Sequence, residues 1–231
     1  MSPELPLDWQ PLWLTLRLAL CTTALLLLIG VPFAWWLAYT RTRFKPLLET
    51  LVSMPLVLPP SVLGFYLLLA FSPQHAFGQW LGQTLHLSLV FSFAGLVLGS
   101  VIFSFPFMVQ PLQSGFQDLP SNLLEASRTM GKSDLVSLFR VMLPNMKPAL
   151  LTGVVLSFAH AIGEFGVVLM IGGNIPGVTR VASIAIYDEV ESLHYREANT
   201  YAAILFLVSF AILLTVHLAK RRWAAQKDGF A

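Results

Sequence analysis

Long apolar runs without charge dominate this chain. Four runs contain no Asp, Glu, Lys or Arg, namely 18–39, 51–71, 87–112 and 198–219, and a fifth, 148–173, contains only Glu164. A helix needs about 20 apolar residues to cross the hydrocarbon core of a bilayer. Each run is long enough, so the pattern predicts an all-α membrane protein with about five transmembrane helices.

The composition supports a membrane location. Of the 231 residues, 56% are hydrophobic and 11% are charged, whereas soluble domains average about 45–50% and about 25%. A net charge of +2 gives no general attraction to nucleic acid, so a nucleic-acid partner is not expected. The single cysteine, Cys21, can form no disulfide within the chain.

The distribution of basic residues predicts an orientation, because Lys and Arg accumulate on the cytoplasmic side. An odd number of spans places the termini on opposite sides. The residues before the first run include Glu4 and Asp8 and no Lys, so a removable signal peptide is not expected. Arg17, Arg180 and Arg196 fall on one side. The other side holds Arg41, Arg43, Lys45, Arg128, Lys132, Arg140, Lys147, Lys220, Arg221, Arg222 and Lys227. We therefore expect the N-terminus outside and the C-terminus in the cytoplasm.

Prolines interrupt two of the apolar runs. The second run contains Pro55, Pro59 and Pro60, and the third contains Pro106 and Pro111. Each proline removes a backbone donor, and a membrane tolerates the freed carbonyls only where protein or a water-lined cavity satisfies them. Both helices are predicted to be bent or broken, either along a transport pathway or simply for packing.

The long polar interval, residues 113–147, is predicted to contain two short helices. Pro120 and Ser121 favour the start of the first, and Gly131 its end. Ser133 can cap the second, which Pro144 is expected to end. The second helix has an apolar stripe that should be buried, formed by Leu135, Leu138, Phe139 and Met142.

No catalytic or metal site is predicted in this chain. Residues 126–133 end like a phosphate-binding loop, but Ala126 replaces its first glycine and no strand precedes it. The histidines lack the spacing of a metal site; they are His75, His86, His160, His194 and His217. We therefore expect the chain itself to be no enzyme.

The polar interval contains a recognisable motif. Glu-Ala-Ser at 125–127 is followed after three residues by Gly131, and after nine more by Val-Met-Leu-Pro at 141–144. The pattern resembles the EAA signature of ATP-binding cassette importer permeases, commonly E-A-A-x3-G-x9-I-x-L-P. The two departures are Ser127 for Ala and Val141 for Ile.

The resemblance implies a type I importer permease fold over a single domain, 1–231. In it, residues 113–147 would form a cytoplasmic loop with a coupling helix that docks on an ATPase subunit. The positions matched to this coupling role are Glu125, Ala126, Ser127, Gly131, Leu143 and Pro144.

Further segments resemble molybdate permeases. These are 54–68, 163–166, 172–180 and 185–188, and sulfate and tungstate permeases are similar there. His160 stands near a position where an arginine is associated with this family. We expect the pathway or gate to be formed by Pro59, Pro60, Ser61, Gly163, Glu164, Phe165 and Gly166.

Glu164 is the acidic residue of the fourth run. Sixteen residues after Pro148, at about 1.5 Å each, place it roughly 24 Å along the helix axis, and its flanking glycines permit a local break or a close helix approach. Intramembrane carboxyl groups usually face a cavity or a partner, so a gate, a paired structural carboxylate and a proton relay are the alternatives. The later acidic cluster, Asp188, Glu189 and Glu191, is interpreted as a solvated face near a docking protein.

The resemblance implies an ATP-driven importer for molybdate in the bacterial inner membrane, with sulfate or thiosulfate, tungstate, or a secondary anion carrier as alternatives. The spans offer almost no fixed positive charge, so a separate extracytoplasmic binding protein is expected to select the anion. The expected partners are a second copy of the chain, two ATPase subunits and the lipid bilayer. ATP and Mg would be bound by the ATPase, and no cofactor by this chain.

Overall fold

The fold is that of a computed structural model, which describes residues 7–228 apart from the side chains of residues 121, 217 and 219–228. Three long apolar helices match the first, third and fifth predicted spans. They are α1 (Gln10–Tyr39), α5 (Phe93–Gln117) and α12 (Tyr195–Asp228, apolar over Tyr195–Val216). Helix α1 begins eight residues before the predicted run and includes Arg17, which lies over the ring of Phe93 at 5.1 Å.

The second predicted span is broken at its prolines. Helix α2 (Lys45–Val57) and helix α3 (Pro60–Phe71) meet at an angle of 110°. Pro59, at the break, has no N–H to continue the helical hydrogen bonding. Pro55 lies inside α2, where it does not end the helix. A short helix, α4 (Ala76–Leu85), follows α3.

The third span was predicted to be bent or broken, and it is not broken, because Pro106 and Pro111 lie within α5 without interrupting it. Helix α5 packs against α1 and α9 (Lys147–Gly163), and Pro106 itself is buried. Packing on both sides holds α5 in one piece although two backbone donors are missing. An interruption in the third span is therefore wrong.

The fourth span is also discontinuous. Helix α9 ends at Gly163, and α10 (Gly166–Gly172) begins after Glu164 and Phe165. Glu164 has extended backbone angles, φ −69° and ψ 134°. Glu164 therefore lies at a break of the helix, which the glycines on either side of it permit. Helix α11 (Ala182–Glu191) follows α10. The described residues provide three long apolar helices, or up to five membrane crossings if two bent pairs each count as one span, α2 with α3 and residues Asp134–Asn145 with α9.

Glycines bring α5 and α9 into close contact in the core. A Cβ placed at Gly115 would lie 2.5 Å from the Cβ of Ala149, and one at Gly153 would lie 3.1 Å from the sulfur of Met108. The later residue of α5 meets the earlier residue of α9, so the two helices run antiparallel. Their register places the last turn of α9 beside the first half of α5.

The polar interval forms the predicted short helices. Helix α6 (Ser121–Thr129) is followed by Gly131 at φ +71°. Helix α7 (Asp134–Ser137) is capped by Ser133, whose Oγ accepts a hydrogen bond from the N–H of Val136 at 3.4 Å. A π-helical turn (Leu138–Met142) and α8 (Leu143–Asn145) continue it.

Two expectations for this segment are wrong. Pro144 occupies the first turn of α8 and does not end the helix; the chain bends by 86° between Asn145 and Lys147. A proline fits a first turn because its missing donor has no helical partner there. The apolar stripe is divided: Leu138 and Met142 are 1% exposed, whereas two other members are mostly exposed, Leu135 at 64% and Phe139 at 63%.

Candidate translocation cavity and coupling loop

The two broken spans meet at glycines. A Cβ at Gly166 would lie 2.7 Å from the Cβ of Pro60, and a Cβ at Gly64 would lie 2.7 Å from the Cβ of Met170. Helices α3 and α10 therefore approach more closely than any larger side chain at these positions allows. The sequence motifs around Pro59 and around Glu164, about a hundred residues apart, are brought into direct contact.

A cavity of about 660 Å³ opens where these breaks meet. It contains six of the seven predicted pathway residues; Pro59 does not line it. Its lining consists of Pro60, Ser61, Phe103, Ala159, His160, Gly163, Glu164, Phe165 and Gly166. The lining contains no Lys or Arg. A pocket of this size can hold a small anion with several waters, each of which occupies about 30 Å³ in the liquid.

Glu164 is the buried acidic side chain of the cavity. It is 4% exposed, and neither carboxyl oxygen has a hydrogen-bond partner within residues 7–228. Ser100 is a nearby hydroxyl, but its Oγ makes no hydrogen bond of ordinary geometry. The backbone oxygen of Glu164 accepts a hydrogen bond from Ser183 Oγ at 2.6 Å. No cation in the described part of the chain pairs with Glu164, so its interpretation as a paired structural carboxylate is not supported.

Three cavity residues were not included in the predicted site, namely Phe103, Ala159 and His160, and His160 is the polar one. Its Nδ1 lies 3.0 Å from Ser104 Oγ. Its ring lies against two phenylalanines, 4.1 Å from the ring of Phe107 and 4.8 Å from that of Phe103. His160 precedes Glu164 by four residues, the spacing that places two side chains on one helix face, and that spacing was the available indication.

The acidic cluster of α11, Asp188, Glu189 and Glu191, makes specific contacts with neighbouring side chains. Arg180 Nη2 lies 2.7 Å from Asp188 Oδ2 and 3.1 Å from Glu189 Oε1. The other oxygen of Glu189 lies 3.0 Å from Nδ1 of His194. Arg180 and Glu189 are only 20% exposed, so the interpretation of these acids as simply solvated is wrong for Glu189.

Glu191, the third acidic residue, has a different partner. Its Oε1 accepts a hydrogen bond from the hydroxyl of Tyr187 at 2.5 Å. This hydrogen bond to a carboxylate, with the repulsion between the carboxylate and a phenolate, raises the pKa of Tyr187 from its ordinary value. Tyr187 also contacts Phe165 of the cavity lining, with ring centroids 5.2 Å apart.

The coupling-loop residues divide between buried and exposed positions. Ser127 is 5% exposed, and its Oγ lies 2.6 Å from Ser137 Oγ. Leu143 is half-buried. The remaining predicted positions are exposed: Glu125, Ala126, Gly131 and Pro144. One residue of the motif, Ser127, is therefore buried inside the loop, and the exposed residues of the motif lie on its surface.

An ion pair closes the turn between α6 and α7. Arg128 Nε lies 3.0 Å from Asp134 Oδ1, and its Nη2 lies 3.3 Å from Asp134 Oδ2. The hydrogen bonds and the carboxylate charge raise the pKa of Arg128. The phosphate-loop lookalike at 126–133 thus begins inside helix α6, whereas a true phosphate loop follows a strand.

The broken spans, the cavity and the exposed helical loop define the membrane subunit of an ATP-binding cassette importer. The chain belongs to the family of binding-protein-dependent transport system inner membrane components, whose profile matches residues 30–222. It is thus a multi-pass inner-membrane transport component. Permeases of this family work with ATPase subunits, which hydrolyse ATP, and with substrate-binding proteins.

Several relatives span nearly the same length. The chain is 47% identical over 215 residues to the molybdenum transport system permease protein ModB of Azotobacter vinelandii, covering 93% of this chain and 95% of ModB. It is 32% identical to ModB of Escherichia coli K12, covering 95% and 94%. Identity to the sulfate transport system permease protein CysT of Salmonella typhimurium is 32%, covering 87% and 72%.

Solved structures confirm the fold. A chain of the MetNI methionine transporter, in an inward-facing conformation, superposes with a TM-score of 0.72 at 17% identity, covering 96% of this chain and 98% of that one. A chain of a bacterial transporter for alginate gives 0.70 at 15% identity, covering 93% and 80%. The predicted type I importer permease fold is thus confirmed.

Proposed function

We propose that this chain is the permease of a molybdate importer, and that the cavity between the broken spans is part of the route. The observation that carries the transport role is the meeting of Pro60, Ser61 and residues 163–166 in one cavity. The anion is supported by the 47% identity to a molybdenum permease over nearly the full length of both chains, against 31–34% for sulfate permeases.

The chemistry of the lining suits a route with weak affinity. A dianion in a low-dielectric site needs fixed positive charge or several donors to bind tightly. The lining side chains include Ser61 and His160 as hydrogen-bonding groups and the acid Glu164. Selection of the anion is therefore assigned to an extracytoplasmic binding protein, and this chain lets the anion pass.

The working assembly is proposed to be a homodimer with two ATPase subunits, which bind ATP and Mg. Five spans are few for a gated route, and a two-fold pair would enclose the open side of the cavity. The surface of the coupling loop (the exposed apolar residues Met130, Leu135 and Phe139 around the 125–131 motif) is suited to docking on the ATPase, since large apolar side chains cluster there.

Uptake of labelled molybdate tests the transport function. Cells that lack their own importer would express this chain with its ATPase and binding protein, and unlabelled tungstate and sulfate would compete. We expect uptake that requires an ATPase active in hydrolysis and that molybdate inhibits more strongly than sulfate. Stronger inhibition by sulfate would show that the importer to which this chain belongs carries sulfate instead, and uptake without the ATPase would indicate a secondary carrier.

Thiol labelling tests the proposed orientation, with the N-terminus outside and the C-terminus in the cytoplasm. In a Cys21→Ser background, single cysteines would replace Gly131 in the coupling loop and Ser192 after α11, both of which are exposed. A membrane-impermeant reagent applied from outside should label position 192 and not position 131. The opposite pattern would contradict the orientation and the docking of the loop on a cytoplasmic ATPase.

A further inference from the structure

The environment of His160 determines which of its nitrogens carries the proton. The Ser104 side chain is 0% exposed, and in the described residues its one hydrogen bond is with His160 Nδ1. Several helical hydroxyls here donate to the carbonyl four residues earlier, as Thr15 does to Pro11 and Thr152 to Pro148, whereas four buried ones have no hydrogen-bond partner among the described residues, namely Thr22, Thr23, Ser100 and Ser157. Ser104 makes no such bond, so its proton is free for the imidazole.

The alternative tautomer is unfavourable. If Nδ1 carried the proton and donated it to Ser104, the buried serine proton would have no acceptor, and an unmade hydrogen bond of a buried group costs about 1–3 kcal/mol. In a neutral imidazole, one nitrogen accepts and the other donates. With Ser104 donating to Nδ1, the proton lies on Nε2 and makes it a donor.

The rest of the surroundings keeps this donor available. Phe107 stacks on the ring and Phe103 packs against it at a tilt of 51°, and neither side chain offers a hydrogen-bond acceptor of the carbonyl or carboxylate kind. Nε2 makes no hydrogen bond to any residue in the described range, and His160 lines the cavity. An oriented donor without a protein partner therefore borders a space large enough for a small anion and water.

We propose, on the basis of the proposed function, that His160 donates a hydrogen bond from Nε2 to a tetrahedral oxyanion passing through this cavity. Ser104 is then a positioning residue, which holds the imidazole in the donating tautomer. A single neutral donor attracts an oxyanion without trapping it, as transport requires. Phe103 and Phe107 fix the plane of the ring, so the donor keeps one direction while the anion moves.

Two substitutions of His160 distinguish the role of its hydrogen-bond donor from the role of its aromatic ring. His160→Phe keeps an aromatic ring beside Phe107 and removes both nitrogens, whereas His160→Gln removes the ring and keeps an amide N–H at a similar reach. The complex with its ATPase and binding protein would be reconstituted in vesicles, and molybdate uptake and ATP hydrolysis measured together. Thermal unfolding of each variant would check that the fold is kept.

We expect His160→Phe to lower the uptake rate roughly tenfold, as loss of a hydrogen bond to a charged group implies. ATP hydrolysis should be retained. The uptake rate of His160→Gln should stay within about threefold of the wild-type rate. That of Ser104→Ala should lie between the rates of the two His160 variants, because either tautomer of His160 becomes accessible. A purely structural role of the ring predicts the opposite order of the two His160 variants.

The outcomes are distinct. Wild-type uptake in His160→Phe, the reverse order of the two variants, or equal loss in both would overturn the role of His160 and leave the transport function standing. A wild-type complex that takes up none of molybdate, tungstate and sulfate would instead refute the proposed function. Stimulation of ATP hydrolysis by the loaded binding protein checks that the complex is assembled in each case.

Discussion

Ser127 Oγ lies 2.6 Å from Ser137 Oγ, and this contact joins the coupling motif to the helix that follows it. Ser137 Oγ also lies 3.0 Å from the carbonyl oxygen of Ser133 and donates to it. The proton between the two hydroxyls must then come from Ser127. Both serines are buried, so α6 is fixed to α7 by a directed chain of hydrogen bonds.

This direction predicts an asymmetry between two alanine variants. Ser137→Ala removes the acceptor of a buried hydroxyl and should destabilise the loop by about 1–3 kcal/mol, whereas Ser127→Ala leaves no polar group unpaired and should cost about 1 kcal/mol or less. The double variant should be no worse than Ser137→Ala alone. ATP hydrolysed per molybdate transported is the measurement, and we expect this ratio to rise most in Ser137→Ala. Equal effects of the two single variants would contradict the assigned donor.

A second prediction concerns the contact between the broken spans. Gly166→Ala should push α10 from α3, because the new Cβ would lie 2.7 Å from Pro60 Cβ and 3.3 Å from Ser61 N. Overpacking of this kind typically costs about 1–3 kcal/mol. Gly163→Ala is the matched control, since nothing lies within 4 Å of a Cβ at that position. Thermal unfolding in detergent should show a lowered midpoint for Gly166→Ala alone, and equal midpoints would show that α3 and α10 are not so tightly packed.

A third prediction separates the stability of the cavity from its activity. Glu164→Gln keeps the shape of the side chain and removes an unpartnered buried carboxyl group, so the midpoint of thermal unfolding should stay equal or rise. The uptake rate should fall severalfold if the carboxyl group acts at a gate, because losing about 1.4 kcal/mol of stabilisation corresponds to a tenfold change. Glu197, which is exposed in the first turn of α12, provides a control, as Glu197→Gln should leave uptake unchanged. Wild-type uptake in Glu164→Gln would remove the functional interpretation of Glu164.

Local chemistry made much of this fold predictable from the sequence. Pro59 and Pro60 break the second span because prolines lack a backbone donor, and Gly131 ends α6 at a positive φ that suits glycine. The long apolar runs without charge predicted the long helices. Each of these features depends on residues within one or two helical turns.

The remaining features depend on contacts between distant parts of the chain. His160 meets Ser104 across 56 residues of sequence, and the local pattern does not specify the register that aligns α5 with α9. The local pattern also did not predict that α5 continues through its prolines, which packing holds in the helix. It placed Phe139 in a buried stripe, although Phe139 is exposed. Tertiary packing decided each of these cases.

A last prediction concerns Arg180, which holds Asp188 and Glu189 of α11 at 2.7 Å and 3.1 Å. Arg180→Gln would leave Asp188 and Glu189 without their shared cation, so that His194 remains the one partner of Glu189 among the described residues, and Glu189 is only 20% exposed. We expect a loss of about 1–3 kcal/mol in unfolding free energy, discounted from a fully buried pair because water reaches the site. Arg180→Lys should recover part of this, since a single ammonium group reaches both carboxylates less well than a planar guanidinium.

The second substitution in this test is Glu189→Gln. Combined with Arg180→Gln, it removes one of the two uncompensated charges, so the double variant should be more stable than Arg180→Gln alone. Thermal unfolding at low and high salt is the measurement, and the gap between the two variants should shrink as salt screens the remaining repulsion. Additive losses at both salt concentrations would show that Arg180 does not stabilise α11 through Glu189. In that case the close approach of the two side chains contributes nothing measurable, as for many surface ion pairs.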